Sequence, residues 1–265
     1  MEHDKGNPDK LDTYIHKIQK SSQHLLGLIN DVLDMSKIES SDVSLNNESI
    51  SLAEQIGQVD SIIRPQAEER GQKFVIRVHE IRHEYLIGDA VRLRQIFINL
   101  LSNAVKYTPY GGAVQLDLKE VPCTYEGYAT IQITVTDTGY GMSPEFVTRV
   151  FEPFTRAENS TTNKVQGTGL GMAITKSIVD LMGGSINVQS EPDKGTVFDI
   201  ILTLAIDQGA EPEINARSVL LISEENALIK NMSAALLETS IDFHVAATEA
   251  EAMMLVDRKK MDVII

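Results

Sequence analysis

Asn99-Leu-Leu-Ser-Asn103-Ala-Val-Lys106-Tyr107, then Asp137-Thr-Gly139-Tyr-Gly141-Met142, then Gly167-Thr-Gly169-Leu-Gly171-Met172: these three runs, each on a different kind of element, decide the reading of this 265-residue chain. The first run ends a helix predicted from Asp89, a capping residue, to Lys106, where Thr108-Pro-Tyr-Gly-Gly112 stops it. Ile96, Leu100, Leu101, Ala104 and Val105 give that helix an apolar surface. Asn99 and Asn103, at i and i+4, share another face. Two asparagines there cost helix stability with no local compensation, and alone they read as tolerated, exposed amides.

Beside the other two runs, the asparagines read as oxygen donors for Mg²⁺, a hard ion that shares its shell with water and triphosphate oxygens. Lys106, on the next turn, adds a point charge for the phosphates. The second run follows the strand-like Ile131–Thr136, so Asp137 lies at a strand end. A carboxylate there accepts a hydrogen bond from an exocyclic amine such as adenine's, and the glycines let backbone approach the base. By itself this run is a plain turn. The third run leads into an amphipathic helix with Met172, Ile174, Ile178 and Leu181 on its apolar side. Glycines before a helix N-terminus leave backbone N–H groups for phosphate, and the helix dipole assists. The G-x-G-x-G spacing after a polar loop excludes a dinucleotide fingerprint, and no Gly-Lys-Ser/Thr follows to make a Walker loop. Together the three runs predict one ATP pocket, closed by the polar segment between the two glycine runs.

Upstream, residues 46–51 read as a strand, 52–69 as a helix with Pro65 as a candidate kink, and 73–79 as a half-buried strand. Downstream, strands 113–120 and 129–136 flank a turn at 124–127, and a short helix lies around 143–150. Gly183-Gly184 separates helix 168–182 from strands 185–190 and 196–204. This interleaving lacks a regular βαβ rhythm and predicts an α+β fold over 45–207, a two-layer sandwich of a mixed sheet with helices on one face. Leu11, Ile15, Ile18, Ser22, Leu25, Ile29, Val32 and Ser36 repeat at heptad spacing, broadened by Leu26 and Leu33. Residues 1–42 therefore read as a bundle or dimer helix. Residues 208–216 read as a linker. Residues 217–265 carry the βαβαβ rhythm of a parallel sheet, with strands at 218–223, 241–247 and 261–265 and helices at 225–238 and 248–259.

Lys and Arg number 24 against 38 Asp and Glu, a net charge of −14, which argues against nucleic acid or an anionic membrane as the main partner. Positive potential for a triphosphate must be local, at Lys106, Arg156, Lys164 and the helix N-termini. Cys123 is the only cysteine, so neither an intramolecular disulfide nor a multi-thiolate zinc site can form, which fits a reducing compartment. No apolar run reaches the ~18 residues of a membrane span, and the N-terminus is unlike a signal peptide, which predicts a cytoplasmic piece. A longer parent could still be anchored in the inner membrane.

The three runs resemble the asparagine box and the two glycine boxes of sensor histidine kinases, within the wider family that includes the gyrase-type ATPases. Phe151-Glu-Pro-Phe154 resembles the phenylalanine box that the kinases carry between the glycine boxes, and Gly195-Thr196-Val-Phe198 resembles their last glycine box. The resemblance covers about 45–207 and implies the Bergerat ATP-binding fold. It implies Asn103 as the Mg²⁺ ligand with Asn99 in support, Lys106 and Tyr107 along the phosphates and base, Asp137 on adenine, and Thr196 near the base. It makes Gly139, Gly141, Gly167, Gly169, Leu170 and Gly171 the walls and lid hinges. Phe151 and Phe154 would dock the hinge, and Arg156 and Lys164 would approach the phosphates on closure.

Gyrase-type ATPases carry a glutamate one turn before the metal asparagine, as general base for water. Here that position is Asn99, an amide that takes no proton near neutral pH. The resemblance thus implies transfer of the γ-phosphate to a histidine outside the pocket, in two-component signalling. The usual acceptor box, of the form His-Glu-Ile-Arg-Thr-Pro on a preceding bundle helix, matches none of His3, His16, His24, His79, His83 or His244. This stretch is therefore not expected to phosphorylate itself at the usual place. The implied partners are an acceptor histidine helix and a receiver domain, of the parent or of a cognate regulator, and a second copy through the N-terminal helix. Residues 217–265 resemble a truncated flavodoxin-like receiver, with Glu224-Glu225-Asn226 where receivers place their acidic pair and Asp262-Val-Ile-Ile265 as the third strand. Two rival readings stand beside this one: an ATP hydrolase of the gyrase sort, which Asn99 and the phenylalanine run disfavour, and a non-catalytic ATP-sensing module.

Overall fold

The computed structural model describes residues 45–156, 168–210, 218–222, 242–246, 248, 251–253 and 263–264, with single positions between 14 and 36. The chain divides into two compact units, Met1–Ala210 and Glu211–Ile265.

In the first unit the elements run β1 (Glu48–Ser51), α1 (Leu52–Glu69), β2 (Lys73–His79), β3 (Tyr85–Gly88), α2 (Ala90–Tyr107), β4 (Ala113–Val121), β5 (Tyr128–Asp137), α3 (Pro144–Val147), α4 (Gly171–Leu181), β6 (Ser185–Glu191) and β7 (Gly195–Ile206). The strands form one seven-stranded sheet in the order β1-β3-β7-β5-β4-β2, with β6 also paired to β7. The sheet is mixed: β2 lies parallel to β4, and the other pairs are antiparallel.

Alternation along the strands makes the two layers. Leu116 and Leu118 of β4, Ile131, Ile133 and Val135 of β5, and Ile200 and Leu202 of β7 share a core with Val59 and Ile63 of α1, Ile96 and Leu100 of α2, and Ile174 and Ile178 of α4. On the opposite face of the sheet, Gln132 and Thr134 both donate to Asp199 Oδ1, at 2.7 and 2.8 Å. This matches the expected sandwich with helices on one face, a period-2 pattern with one face packed.

Local chemistry starts the helices where they begin. The Ser51 hydroxyl accepts from Glu54 N at 3.1 Å and caps α1, which continues through Pro65. The Asp89 carboxylate accepts from Arg92 N at 3.0 Å and caps α2. Two elements differ from the sequence reading. The short helix is confined to Pro144–Val147, and β3 is a strand that the sequence reading does not contain. With four residues, β3 is too short to display a period, and it is held by pairing to β1 and to the end of β7.

In the second unit, β8 (Ser218–Ile222), β9 (Asp242–Ala246) and β10 (Val263–Ile264) form a parallel sheet in the order β10-β8-β9. Leu220 and Ala246 are buried there with Ala252. The expected helix 225–238, Glu224–Asn226 and Asp262 lie outside the described residues. So do most of 1–42, although Ile15, Ile29, Val32 and Leu33 of the heptad seam are described as helical and exposed. Among the described residues, no helix is long and apolar enough to cross a membrane.

Candidate nucleotide site

The buried stripe of α2, from Ala90 through Ile96, Phe97, Leu100, Leu101 and Ala104 to Val105, rotates Asn99 and Asn103 to its rim, half-buried. There they meet α4. Asn99 Nδ2 donates to Gly171 O and to Thr175 Oγ1, both at 3.2 Å, and the Thr175 hydroxyl donates to the same Gly171 O at 2.8 Å. Asn103 Nδ2 lies 3.4 Å from Met172 Sδ. The first and third runs are thus joined through amide N–H groups, and it is the carboxamide oxygens that suit a cation. Leu170, which is buried, precedes α4 without a side-chain cap. The first turn of α4 therefore offers its N–H groups and positive dipole end to an anion.

The second run forms the opposite wall. Asp137 ends β5 and is only 7% exposed. Its Oδ1 accepts from Gly139 N at 2.8 Å. Burial pushes its carboxyl up to about 6, against the lowering effect of the Gly139 and Thr196 backbone N–H groups. Thr196 stands opposite Asp137 in the β5–β7 ladder. A Cβ on Gly139 would come 2.6 Å from Tyr107 O. Gly141, at φ +62°, has no room for one against the Glu191 carbonyl, nor has Gly195, at φ +101°, against the Asp137 carbonyl. Ser190 ties this wall together and is absent from the sequence reading. Its hydroxyl accepts from Met142 N at 2.9 Å, donates to Gly195 O at 3.0 Å, and lies 2.9 Å from Thr196 Oγ1. The signal that could have found it is its position facing Thr196 across the β6–β7 turn.

Cations gather at the end of α2. The Lys106 ammonium lies 5.0 Å from the Tyr107 ring centroid. Burial first, then the charges of Arg156 and Arg70, hold the Lys106 ammonium below its usual range. Burial holds the Tyr107 phenol above its own, and Arg156 opposes this. The charge of Arg156 is thus felt by both Lys106 and Tyr107. The two phenylalanines part company. Phe151 packs edge-on to Phe198 with centroids 6.4 Å apart. Phe154 is 70% exposed at φ +60°, and its backbone N donates to Gly169 O at 3.0 Å. Lys164 and Gly167 lie outside the described residues.

Among the described residues, no group of three or more His, Cys, Asp or Glu could hold a metal. The site offers neutral amide oxygens instead. This suits Mg²⁺, which keeps several waters, takes few protein ligands and is bound largely through substrate phosphates. His79 and His83 are engaged elsewhere, against Asp117 at 3.4 Å and Glu120 at 2.8 Å.

Residues 88–206 match the family described as histidine kinase-, DNA gyrase B-, and HSP90-like ATPase. The sensor protein GacS of Pseudomonas syringae pv. syringae is 39% identical over 191 residues, 72% of this chain and 21% of that protein. The hybrid signal transduction histidine kinase A of Dictyostelium discoideum is 37% identical over 207 residues, 76% of this chain and 10% of that protein. The chain thus spans a minor part of the length of these relatives. Full-length ShkA, solved in complex with AMPPNP, shares the fold with a TM-score of 0.62 at 27% identity, covering 92% of this chain and 50% of that one. Sequence and fold agree that residues 88–206 form a domain of the histidine kinase-, DNA gyrase B-, and HSP90-like ATPase family, similar to the corresponding part of sensor histidine kinases.

Proposed function

We propose that this domain binds Mg·ATP between α2, the 137–141 turn and the start of α4, and donates the γ-phosphate to a histidine outside the pocket. In this reading the chain is the catalytic region of a hybrid sensor histidine kinase in two-component signalling. Asn99 carries the proposal. It sits one turn before Asn103, and its N–H groups are committed to Gly171 O and Thr175 Oγ1. An amide so held is no general base for water. What the site supplies is positioning and charge, which is what phosphoryl transfer needs.

The Asn103 carboxamide oxygen would hold Mg²⁺, which supplies charge neutralisation across the phosphate oxygens. Asp137 accepts from the exocyclic amine of adenine, Lys106 and Arg156 face the phosphates, and the first turn of α4 takes phosphate oxygens on its N–H groups. In the transfer, an imidazole nitrogen bonds the γ-phosphorus as the bond to the bridging oxygen breaks. ADP keeps that electron pair, and the imidazole gives up its proton. The acceptor comes from another helix, and a response-regulator receiver is the natural consumer of the phosphohistidine.

The proposed division is 1–42 as the bundle helix through which two copies pair, 45–207 as the catalytic domain, 208–216 as a linker and 217–265 as a truncated receiver. The order β10-β8-β9 supports the last, because it places the first strand between the second and third, as in flavodoxin-like sheets. The proposed setting is cytoplasmic, with any membrane anchor in the parent.

The test mixes the intact chain with γ-labelled Mg·ATP and a separate bundle that carries a histidine box. The expected product is acid-labile label on the bundle histidine. Tight ATP binding with no label would support the sensing module, and steady phosphate release without any bundle would support a hydrolase.

A further inference from the structure

The turn between α1 and β2 reaches the far end of α2. Arg70 Nη1 donates to Val105 O and Lys106 O, both at 3.3 Å. Two residues on, Gln72 Nε2 donates to Val105 O at 3.0 Å, Thr108 O at 2.7 Å and Pro109 O at 3.3 Å. Backbone bonds close the clamp, from Gly111 N to Arg70 O at 3.2 Å and from Lys73 N to Gly112 O at 2.8 Å. The last carbonyls of a helix lack intrahelical partners and carry its negative partial charge. A guanidinium there caps the helix and balances its dipole. These carbonyls belong to the turn from which Lys106 and Tyr107 project, and Tyr107 O is in turn held by Tyr140 N at 3.1 Å.

We propose that Arg70 is a positioning residue of the nucleotide site: by spanning the last carbonyls of α2 it fixes the backbone that aims Lys106 and Tyr107, and its charge joins those of Lys106 and Arg156 in the field that a polyphosphate meets. This rests on the ATP reading above. The groups that face Lys106 are Tyr107 beside it on α2, Arg156 after the phenylalanine run, and Arg70 from the α1–β2 turn. Burial first, then repulsion from Arg156 and Arg70, holds the ammonium below its ordinary range in the free protein, and a bound polyanion relieves the repulsion. Arg70 thereby acts on phosphate affinity, while adenine is read on the other wall, by Asp137.

The test titrates the intact chain with Mg·ATP and with adenosine, from about pH 7 upward into the alkaline range in which a lysine loses its proton. Arg70→Gln is expected to weaken Mg·ATP binding about tenfold, the scale of one hydrogen bond to a charged group, and to leave adenosine binding unchanged. It should also move the alkaline loss of ATP affinity to higher pH, because a cation has left the surroundings of Lys106. Arg70→Lys, which keeps the charge but cannot span two carbonyls, should fall between wild type and Arg70→Gln. Gln72→Met, which removes a neutral part of the clamp, should leave the alkaline limb in place. Equal loss for ATP and adenosine with an unmoved limb would reduce Arg70 to a structural role, and an Arg70→Gln variant that binds ATP like wild type would overturn the proposal outright. If Arg70→Gln does not fold, Arg70→Lys decides by the same comparison of the two ligands. A wild-type chain that binds adenosine and Mg·ATP equally weakly would instead overturn the ATP reading itself.

Discussion

Gly141 and Gly195 on one wall of the nucleotide site and Gly171 on the other follow opposite packing rules. On the base side, Gly141 and Gly195 sit so close to the Glu191 and Asp137 carbonyls that no side chain fits at either position. There the chain is in backbone contact, and in the proposed complex recognition would fall to one buried carboxyl. On the phosphate side, a Cβ on Gly171 would lie 3.8 Å from Asn99 Cγ, an ordinary contact. The wall is held instead by side-chain hydrogen bonds from Asn99 to Gly171 O and Thr175 Oγ1. In the proposed complex a flat, uncharged ring would meet a wall formed in advance. The phosphates would meet a wall held by the side-chain hydrogen bonds of Asn99.

The sharpest way to break this contrast is Gly141→Ala. Positive φ and a collision with backbone should together cost about 2–4 kcal/mol of stability and abolish ATP binding. Thermal unfolding and nucleotide titration read this out, and a variant that melts like wild type would erase the distinction between the walls.

Next in size is Asp137→Asn. It keeps an acceptor for Gly139 N but presents an amide to the base, so ATP affinity should fall about 100-fold with the fold intact. The wild-type carboxyl, pushed up to about 6, takes a proton as pH falls from 7 towards 5. ATP affinity should therefore decline over that window and stay flat in the variant. The effect on stability has the opposite sign. A carboxyl whose folded pKa lies above its unfolded value favours the folded state when protonated. That contribution is fully present below about pH 4 and is lost as pH rises through 6. Unfolding of the nucleotide-free chain at pH 5 and pH 7, with and without the substitution, isolates it.

A smaller effect is expected on the other wall. Thr175→Val removes one partner of Asn99 and should weaken Mg·ATP about threefold, with adenosine unaffected. Gly171→Ala should change affinity less than about twofold, because the added methyl meets ordinary contacts and alanine is the better helix former. A large loss from Gly171→Ala would show that the phosphate wall is as tightly packed as the base wall.

What could be read from the sequence follows the same division between local and distant interactions. The cap at Asp89, the amphipathic stripe of α2 and the strand end at Asp137 are local signals, and each falls on the expected element. Ser190 is a single polar residue in a strand, and only its pairing across the β6–β7 turn gives it three partners. Arg70 and Gln72 look like ordinary turn residues until the end of α2 folds against them. Phe151 and Phe154 read as a symmetric pair, but positive φ at Phe154 turns its ring to solvent and leaves Phe151 alone against Phe198. Four-residue β3 and the parallel β2–β4 pairing depend on register between distant segments, which no local period records.

Strand β7 is the last strand of its unit, yet it lies in the middle of the sheet, with β3 and β6 on one edge and β5 along the other. Without β7, β1 with β3 and β2 with β4 and β5 share no strand pairing, and each group has an open edge. During synthesis the sheet therefore stays incomplete until β7 has been made. Its central pairings are made by the strand that comes last, so they join segments far apart in the chain, the kind of contact that slows folding.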